Sequence, residues 1–334
     1  MDDYKRRARL ALSFAQRRRL QARSQTDVDQ LLTHFMNVKY RDGEHSSYGG
    51  KPLAGWMAVC PECGKCGNFK LPRAGRALKG WRRLVPGRCR KPCPFPLVAA
   101  LVVALIHLNE LEVGLWVIVA FGFYLGPCEC LRIQAEDLIA PVTGVSSHWG
   151  LLVAPEERGV ATKVGAFDVS LLWDAPYLSF MNGVFQVLRS RPEGQPLWAL
   201  DYPRVLEAFK RASMLIGADV VPCHMRHSGP SWERLKGVGA LQQIQKRGRW
   251  ASVKSLVRHE KHGRLATQMA EHSAAKQRWL LACERRVGEY VLGSRVADWP
   301  PPQRRRACFW TCSPAAGAWP GPSARRASRP SSGI

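Results

Sequence analysis

Two short segments in the second half of the chain hold the side chains whose types and spacing could do chemistry. Residues 222–231 read PCHMRHSGPS, and residues 247–261 read RGRWASVKSLVRHEK. A guanidinium such as that of Arg226 stays charged and binds two oxygens of an anion at once, and a tryptophan such as Trp250 offers an indole N–H donor. The two segments therefore predict an anion-binding site, provided that the fold brings them together.

The charge balance of the chain indicates which class of anion this is. The 334 residues include 50 Lys and Arg against 26 Asp and Glu, which gives a net charge of +24 at pH 7. Lys and Arg are dense across residues 1–90 and 204–264 as well as near the C-terminus. A basic excess of this size implies a polyanionic partner, and nucleic acid is the first candidate.

The first segment resembles part of the active site of the tyrosine recombinases, or phage integrases, which cut DNA through attack of a tyrosine on a backbone phosphate. Met225-Arg226-His227 matches the second half of that family's H-x-x-R-H element. The resemblance implies that Arg226 clamps the scissile phosphate of double-stranded DNA. The family's histidine falls on Cys223, with His224 one residue away, so both are candidate site residues.

The same resemblance assigns roles to two further residues. Trp250 occupies the family's His or Trp position, where an indole N–H donates to a phosphate oxygen. Lys163 lies in a polar segment between two predicted strands, where the family carries a hairpin lysine, and is the candidate general acid for the leaving 5′ oxygen. The basic side chains of the second segment are the predicted DNA contacts: Arg247, Arg249, Lys254 and Arg258.

Two departures from the family pattern predict an impaired enzyme. The tyrosine position, nine residues after Trp250, holds His259, which would have to act as the nucleophile. The first-arginine position, eleven residues before Asp137, holds Gly126. Glu129 still matches the glutamate of the family pattern, three residues after that position. Removing one transition-state donor costs on the order of 3–4 kcal/mol, whereas DNA binding is spread over many cations and should survive.

Helical periodicity and the resemblance together predict a mainly α fold with a small β-hairpin or sheet, in the two-domain architecture of the integrases. We expect a basic N-terminal arm or helix over 1–26, a small helical core-binding-like domain over 27–88, a recombinase-like catalytic domain over 95–292 and a disordered tail over 293–334. Strands are predicted at 150–155 and 167–173, and helices at 202–216, 228–236, 239–247, 252–258 and 264–290.

Two apolar stretches, 95–106 and 113–125, are separated by the polar residues 107–112. Neither reaches the roughly eighteen uninterrupted apolar residues that a membrane span requires, so we expect two buried helices and no membrane partner. The eleven cysteines form no even framework and no apolar leader precedes them, which predicts an intracellular protein. The basic N-terminal segment would serve as a nuclear signal in a eukaryote.

Three cysteines, Cys60, Cys63 and Cys66, have the C-x₂-C-x₂-C spacing of a metal-binding turn. Cys89 and Cys93 could supply a second pair of thiolates for a structural zinc. A zinc-dependent interaction protein is therefore a competing interpretation. The favoured prediction is that the protein has no cofactor.

The favoured function is that of a recombinase-like DNA-binding protein, derived from a mobile element, related to DNA integration and catalytically impaired. The resemblance implies that it forms homo-oligomers on DNA. A non-enzymatic DNA-binding module and a gene product with no selected role also fit these residues.

Overall fold

Fourteen α-helices and one three-stranded antiparallel sheet make up the part of the chain that this computed structural model describes, which is residues 2–64, 66–86, 91–162 and 165–294. The predicted class, mainly α with a small sheet, is confirmed. The chain divides into two units, with the boundary between Cys89 and Arg90. The tail predicted over 293–334 lies outside the described residues from position 295 onward.

The first unit is helical throughout and holds α1 (Asp2–Arg17), α2 (Gln25–Arg41), α3 (Ser47–Val59) and α4 (Pro72–Leu84). Helix α1 packs along α3, and α2 packs against α4. The basic N-terminal segment is thus a helix that places Ala11 and Phe14 in the core of this unit, where Phe14 meets Phe35 edge to face.

A buried carboxylate fixes the start of α4. Asp29, which is 4 % exposed, accepts the backbone N–H of Arg73 at 2.9 Å and that of Ala74 at 2.8 Å. The first N–H groups of a helix have no partner within the helix, and a negative charge there is also stabilised by the helix dipole. Asp29 therefore holds α4 against α2 and orients its outer face, whose exposed cations are Arg73, Arg76, Lys79, Arg82 and Arg83.

We expect Asp29→Ala to lower the free energy of unfolding by about 2 kcal/mol or more, because two buried N–H groups lose a charged acceptor. Asp42→Ala is the matched control, since Asp42 follows the same helix and is about half exposed. Urea unfolding followed by circular dichroism measures both. Equal losses in the two variants would contradict this role for Asp29.

The second unit is built around two short apolar helices, α5 (Phe95–His107) and α6 (Leu111–Gly122). Helix α5 is buried on every face from Phe95 to Leu105, because α6 and helices from later in the chain surround it. The two buried helices predicted from the apolar stretches are confirmed. Among the residues described, no helix is long and apolar enough to cross a membrane.

The later elements of this unit include the short helix α7 (Pro127–Leu131) and the sheet of β1 (Leu138–Ile139), β2 (Gly150–Val153) and β3 (Val169–Leu172). The strands run antiparallel in the order β1-β2-β3, with Leu151 opposite Leu171. Both of these side chains are buried, so the sheet turns one face to the core. The two predicted strands are present with shorter bounds, and β1 was not predicted because two residues carry no alternation pattern.

Seven more helices complete the unit: α8 (Met181–Arg189), α9 (Tyr202–Ile216), α10 (Met225–Lys236), α11 (Leu241–Arg247), α12 (Val253–His259), α13 (His262–Ala270) and α14 (Ala274–Val291). The single helix predicted over 264–290 is wrong. Ser273 interrupts it, because its hydroxyl accepts the N–H of Lys276 at 3.4 Å and begins α14 as a new helix.

Candidate functional site

Three places in the second unit carry the candidate site: the start of α7, the start of α10 and the connection from α11 to α12. Arg226 is the second residue of α10, directly after a short 3₁₀ turn over Pro222–His224. Arg249 and Trp250 lie in the connection, and His259 is the last residue of α12. The two segments singled out in the sequence therefore meet in the fold.

The carboxylate of Glu129 joins these places. Its Oε2 atom accepts a hydrogen bond from Nη1 of Arg226 and another, at 2.9 Å, from Nη2 of Arg249. The backbone N–H of Gly126 donates to the same oxygen at 2.7 Å. Burial opposes ionisation of Glu129, but the two guanidiniums and this N–H outweigh it, so its pKa lies below the ordinary value. Glu129 is thus an ionised support for two arginines.

Gly126 faces this pair of arginines without a side chain. It precedes α7, and a Cβ atom built on it would lie 3.3 Å from Oε2 of Glu129 and 3.7 Å from Nη1 of Arg226. Its φ of −74° is open to any residue. Gly126 is therefore beside Arg226 in space.

Trp250 forms the centre of a group of stacked rings. The Arg226 guanidinium lies 6.0 Å from the Trp250 ring. His259 stacks on Trp250 with ring centroids 4.8 Å apart and on His227 with centroids 4.5 Å apart. The structure thus brings Arg226, Trp250 and His259 into one cluster.

The end of α12 is tied to α10 through Ser231, which is fully buried. Its hydroxyl accepts the N–H of Lys261 at 2.9 Å and lies 3.3 Å from the carbonyl oxygen of His259. This contact holds the backbone of His259 against the helix that carries Arg226. The backbone position of His259 is therefore supported by a serine that no spacing argument identified.

Gly248 allows the connection to fold tightly under Trp250. A Cβ atom at this position would lie 2.0 Å from the indole ring, a distance that no side chain can tolerate. Its carbonyl oxygen accepts Nη2 of Arg226 at 3.3 Å. The glycine thus lets the backbone itself orient the guanidinium.

Arg249 is held in an unusual environment. Its backbone has a φ of +56°, in the left-handed region, and its side chain is only 4 % exposed. Burial lowers the pKa of the guanidinium to about 10, although the Glu129 carboxylate opposes this shift. Arg249 therefore stays charged at neutral pH.

An open groove of about 590 Å³ lies beside Arg249 and Trp250. The other residues that line it are Ala166, Val169, Gln242, Gln245, Lys246 and Ala251. Ala166 lies in the connection before β3 and Val169 is the first residue of β3, so this part of the chain forms one wall of the groove. Lys163, the predicted general acid three residues before Ala166, lies outside the described residues.

Arg247 points into the protein instead of toward the groove. Its Nη1 donates to Oε1 of Glu233 at 2.6 Å, and its Nη2 pairs with Asp174. Burial raises the pKa of Glu233 to about 7, although the side chains of Tyr124 and Tyr177 oppose this shift. Arg247 therefore has the position of a structural residue, which disfavours the predicted DNA contact.

Two of the remaining predicted residues lie on α12 and two in the 3₁₀ turn before α10. Lys254 is exposed on α12, and the side chain of Arg258 lies outside the described part of the chain. Cys223 is half-buried with a free thiol. His224 approaches Cys93, with 3.7 Å between Nδ1 and Sγ, which ties the 3₁₀ turn to the start of the second unit.

The cysteines leave little support for a zinc site. Cys93 is buried in the second unit, where its N–H donates to Ser228 at 2.7 Å, and burial raises the pKa of its thiol to about 12. A thiol that resists ionisation is a poor metal ligand. Within the described ranges no three His, Cys, Asp or Glu side chains cluster to hold a metal, while Cys89 lies outside those ranges.

Comparison with solved structures finds similarities of fold. The chain is similar to a solved structure of the XerH site-specific recombinase bound to a palindromic difH substrate in a post-cleavage complex, with a TM-score of 0.48 and 13 % sequence identity. The similarity covers 74 % of this chain and 72 % of that one. No protein-family profile and no curated protein matches the sequence.

We expect Arg247→Ala to lower the free energy of unfolding by about 3 kcal/mol, because it leaves the Glu233 carboxylate buried without its cation. The double variant Arg247→Met/Glu233→Met should recover most of this loss, since neither charge then remains. Lys254→Ala, an exposed control, should change stability by less than about 0.5 kcal/mol. Urea unfolding tests all three, and an Arg247→Ala variant as stable as the control would contradict the structural role.

Proposed function

We propose that this chain is a tyrosine-recombinase-like DNA-binding protein, related to the recombinases of mobile elements, in which strand cleavage is impaired. Its ligand is the phosphate backbone of double-stranded DNA. The observation that carries the proposal is the convergence of Arg226, Arg249 and Trp250 in one cluster, of which Arg249 and Trp250 line a groove, in a chain of net charge +24.

The donors of this cluster suit a phosphodiester. Arg226 can bind two phosphate oxygens, and the indole of Trp250 can donate to one. Glu129 keeps the Arg226 guanidinium oriented before DNA arrives, which lowers the entropy lost on binding. In this proposal Lys163, in the segment of the chain between β2 and β3, is the proton donor to the leaving oxygen.

The exposed face of α4 offers a second, separate set of phosphate contacts in the first unit. Its sequence, PRAGRALKGWRRL, contains five cations and no acid. Phosphate contacts of this kind are independent of DNA sequence and strongly dependent on salt. They support retention of DNA binding when the cleavage chemistry is lost.

Two positions account for the loss of cleavage. His259 stands where the family has its tyrosine, and attack by an imidazole would give a phosphoramidate in place of the usual ester. Gly126 stands where the family has its first arginine, which removes a donor to the transition state. The same proposal places the active form as a homo-oligomer on DNA.

We expect the full chain to bind duplex DNA with an affinity that falls steeply as salt rises, without nicking it or attaching to it. Arg226→Gln should weaken binding about tenfold, because a guanidinium in contact with phosphate is lost. Arg234→Gln is the matched control, since Arg234 is exposed on the same helix and the charge change is identical. Fluorescence anisotropy with a labelled duplex measures both, and equal effects would contradict the assignment of Arg226.

The register of the site has its own test. The double variant Gly126→Arg/His259→Tyr restores both missing groups, and a tyrosine ring can occupy the stack beside Trp250. We expect it to become covalently attached to a nicked suicide DNA substrate, which denaturing gel electrophoresis detects as a shifted protein band. His259→Phe in the same Gly126→Arg background should give no adduct, because it has the ring without the hydroxyl. An adduct in that control would show that another residue attacks.

A further inference from the structure

Two neighbouring buried N–H groups at the groove have no acceptor. Nε of Arg249 and Nε1 of Trp250 are both inaccessible to solvent and without a hydrogen-bond partner among the residues described. Both residues line the same groove. A buried donor left unsatisfied costs about 1–3 kcal/mol, so an oxygen atom of a ligand at this place would remove an existing cost.

The backbone of Arg249 adds a second unexplained cost. Its φ of +56° is a conformation that glycine adopts freely and that a side chain makes unfavourable. A charged side chain that is 4 % exposed is also expensive to bury. Since strain of this kind persists at functional sites, both features point to a role for the guanidinium beyond packing.

The charges of the cluster match one phosphodiester. Arg226 and Arg249 each carry one positive charge, and Glu129 carries one negative charge that both share. One positive charge therefore remains, which equals the single negative charge of a phosphate in the DNA backbone. Glu129 engages Nη2 of Arg249 and the carbonyl of Arg247 engages Nη1 at 3.4 Å, so Nε is the nitrogen of this guanidinium that has no acceptor among the residues described.

We propose that Arg249 supplies the second guanidinium of the phosphate site and takes the part that position 126 cannot fill. This inference rests on the proposed function and identifies the residue that completes its phosphate site. Gly126 and Arg249 approach the same oxygen of Glu129, one from the start of α7 and the other from the connection between α11 and α12. A guanidinium entering from either position would therefore be held by one carboxylate next to Arg226.

The experiment moves the guanidinium from one position to the other. Arg249→Gly suits the positive φ and should weaken binding of a labelled DNA duplex about tenfold, with the slope of log affinity against log salt falling by about 0.9. Gly126→Arg added to Arg249→Gly should recover most of the affinity and slope. Arg249→Lys keeps the charge without the fork of N–H groups and should remain weaker than the wild type.

The matched control is Arg249→Gly/Gly183→Arg, which has the same net charge as the wild type. Gly183 is exposed on α8 with open space around it, so the added arginine lies on the surface of the same unit. We expect no recovery in this variant. Equal recovery from positions 183 and 126, or wild-type affinity in Arg249→Gly, would overturn the inference while leaving the proposed function intact. Thermal unfolding of each variant confirms that it is folded.

Two further outcomes separate this inference from the proposed function. A wild-type chain that does not bind duplex DNA at all would overturn both. Titration with inorganic phosphate at constant ionic strength identifies the source of the anion. If inorganic phosphate binds the wild type but not Arg249→Gly, while the affinity for duplex DNA is the same in both, then the site takes a free anion and the assignment to DNA is wrong.

Discussion

The carboxylate of Glu129 is the interaction on which the rest of the candidate site depends. One of its oxygens receives donors from Gly126, Arg226 and Arg249, which come from three separate parts of the second unit. Two guanidiniums placed side by side would repel each other strongly in a partly buried position without this shared anion. The arginine pair depends on it, and the carbonyl oxygen of Gly248 gives Arg226 a second acceptor.

Two kinds of arginine environment in the second unit separate structural from candidate binding roles. Arg247 forms an ion pair with the buried Glu233, and Arg158 forms one with the buried Asp137. In both pairs the carboxylate neutralises the charge of the arginine. Arg226 and Arg249 share one acid, so one positive charge remains in this cluster, and Arg249 lines a groove. Basic residues next to each other along the chain can thus differ completely in what they offer to a partner.

Much of the fold followed from local pattern. The helix over Tyr202–Ile216 has the predicted bounds, because an aspartate caps its start and its apolar side chains recur at helical spacing. The break before α14 was missed, since a single serine gives a weak signal within a long amphipathic stretch. Glu233 was missed for a different reason: a lone glutamate on a helix has no feature in the sequence that marks it as buried beside Arg247.

The sequence by itself determined the charge of the protein and its helical class, because composition and short-range spacing express these properties directly. The choice of Arg226 and Trp250 as residues suited to an anion came from the family resemblance. Only the tertiary structure decided that Arg249 lies beside Arg226 and that Arg247 is turned inward, because these outcomes depend on which carboxylate each guanidinium reaches across many residues of chain.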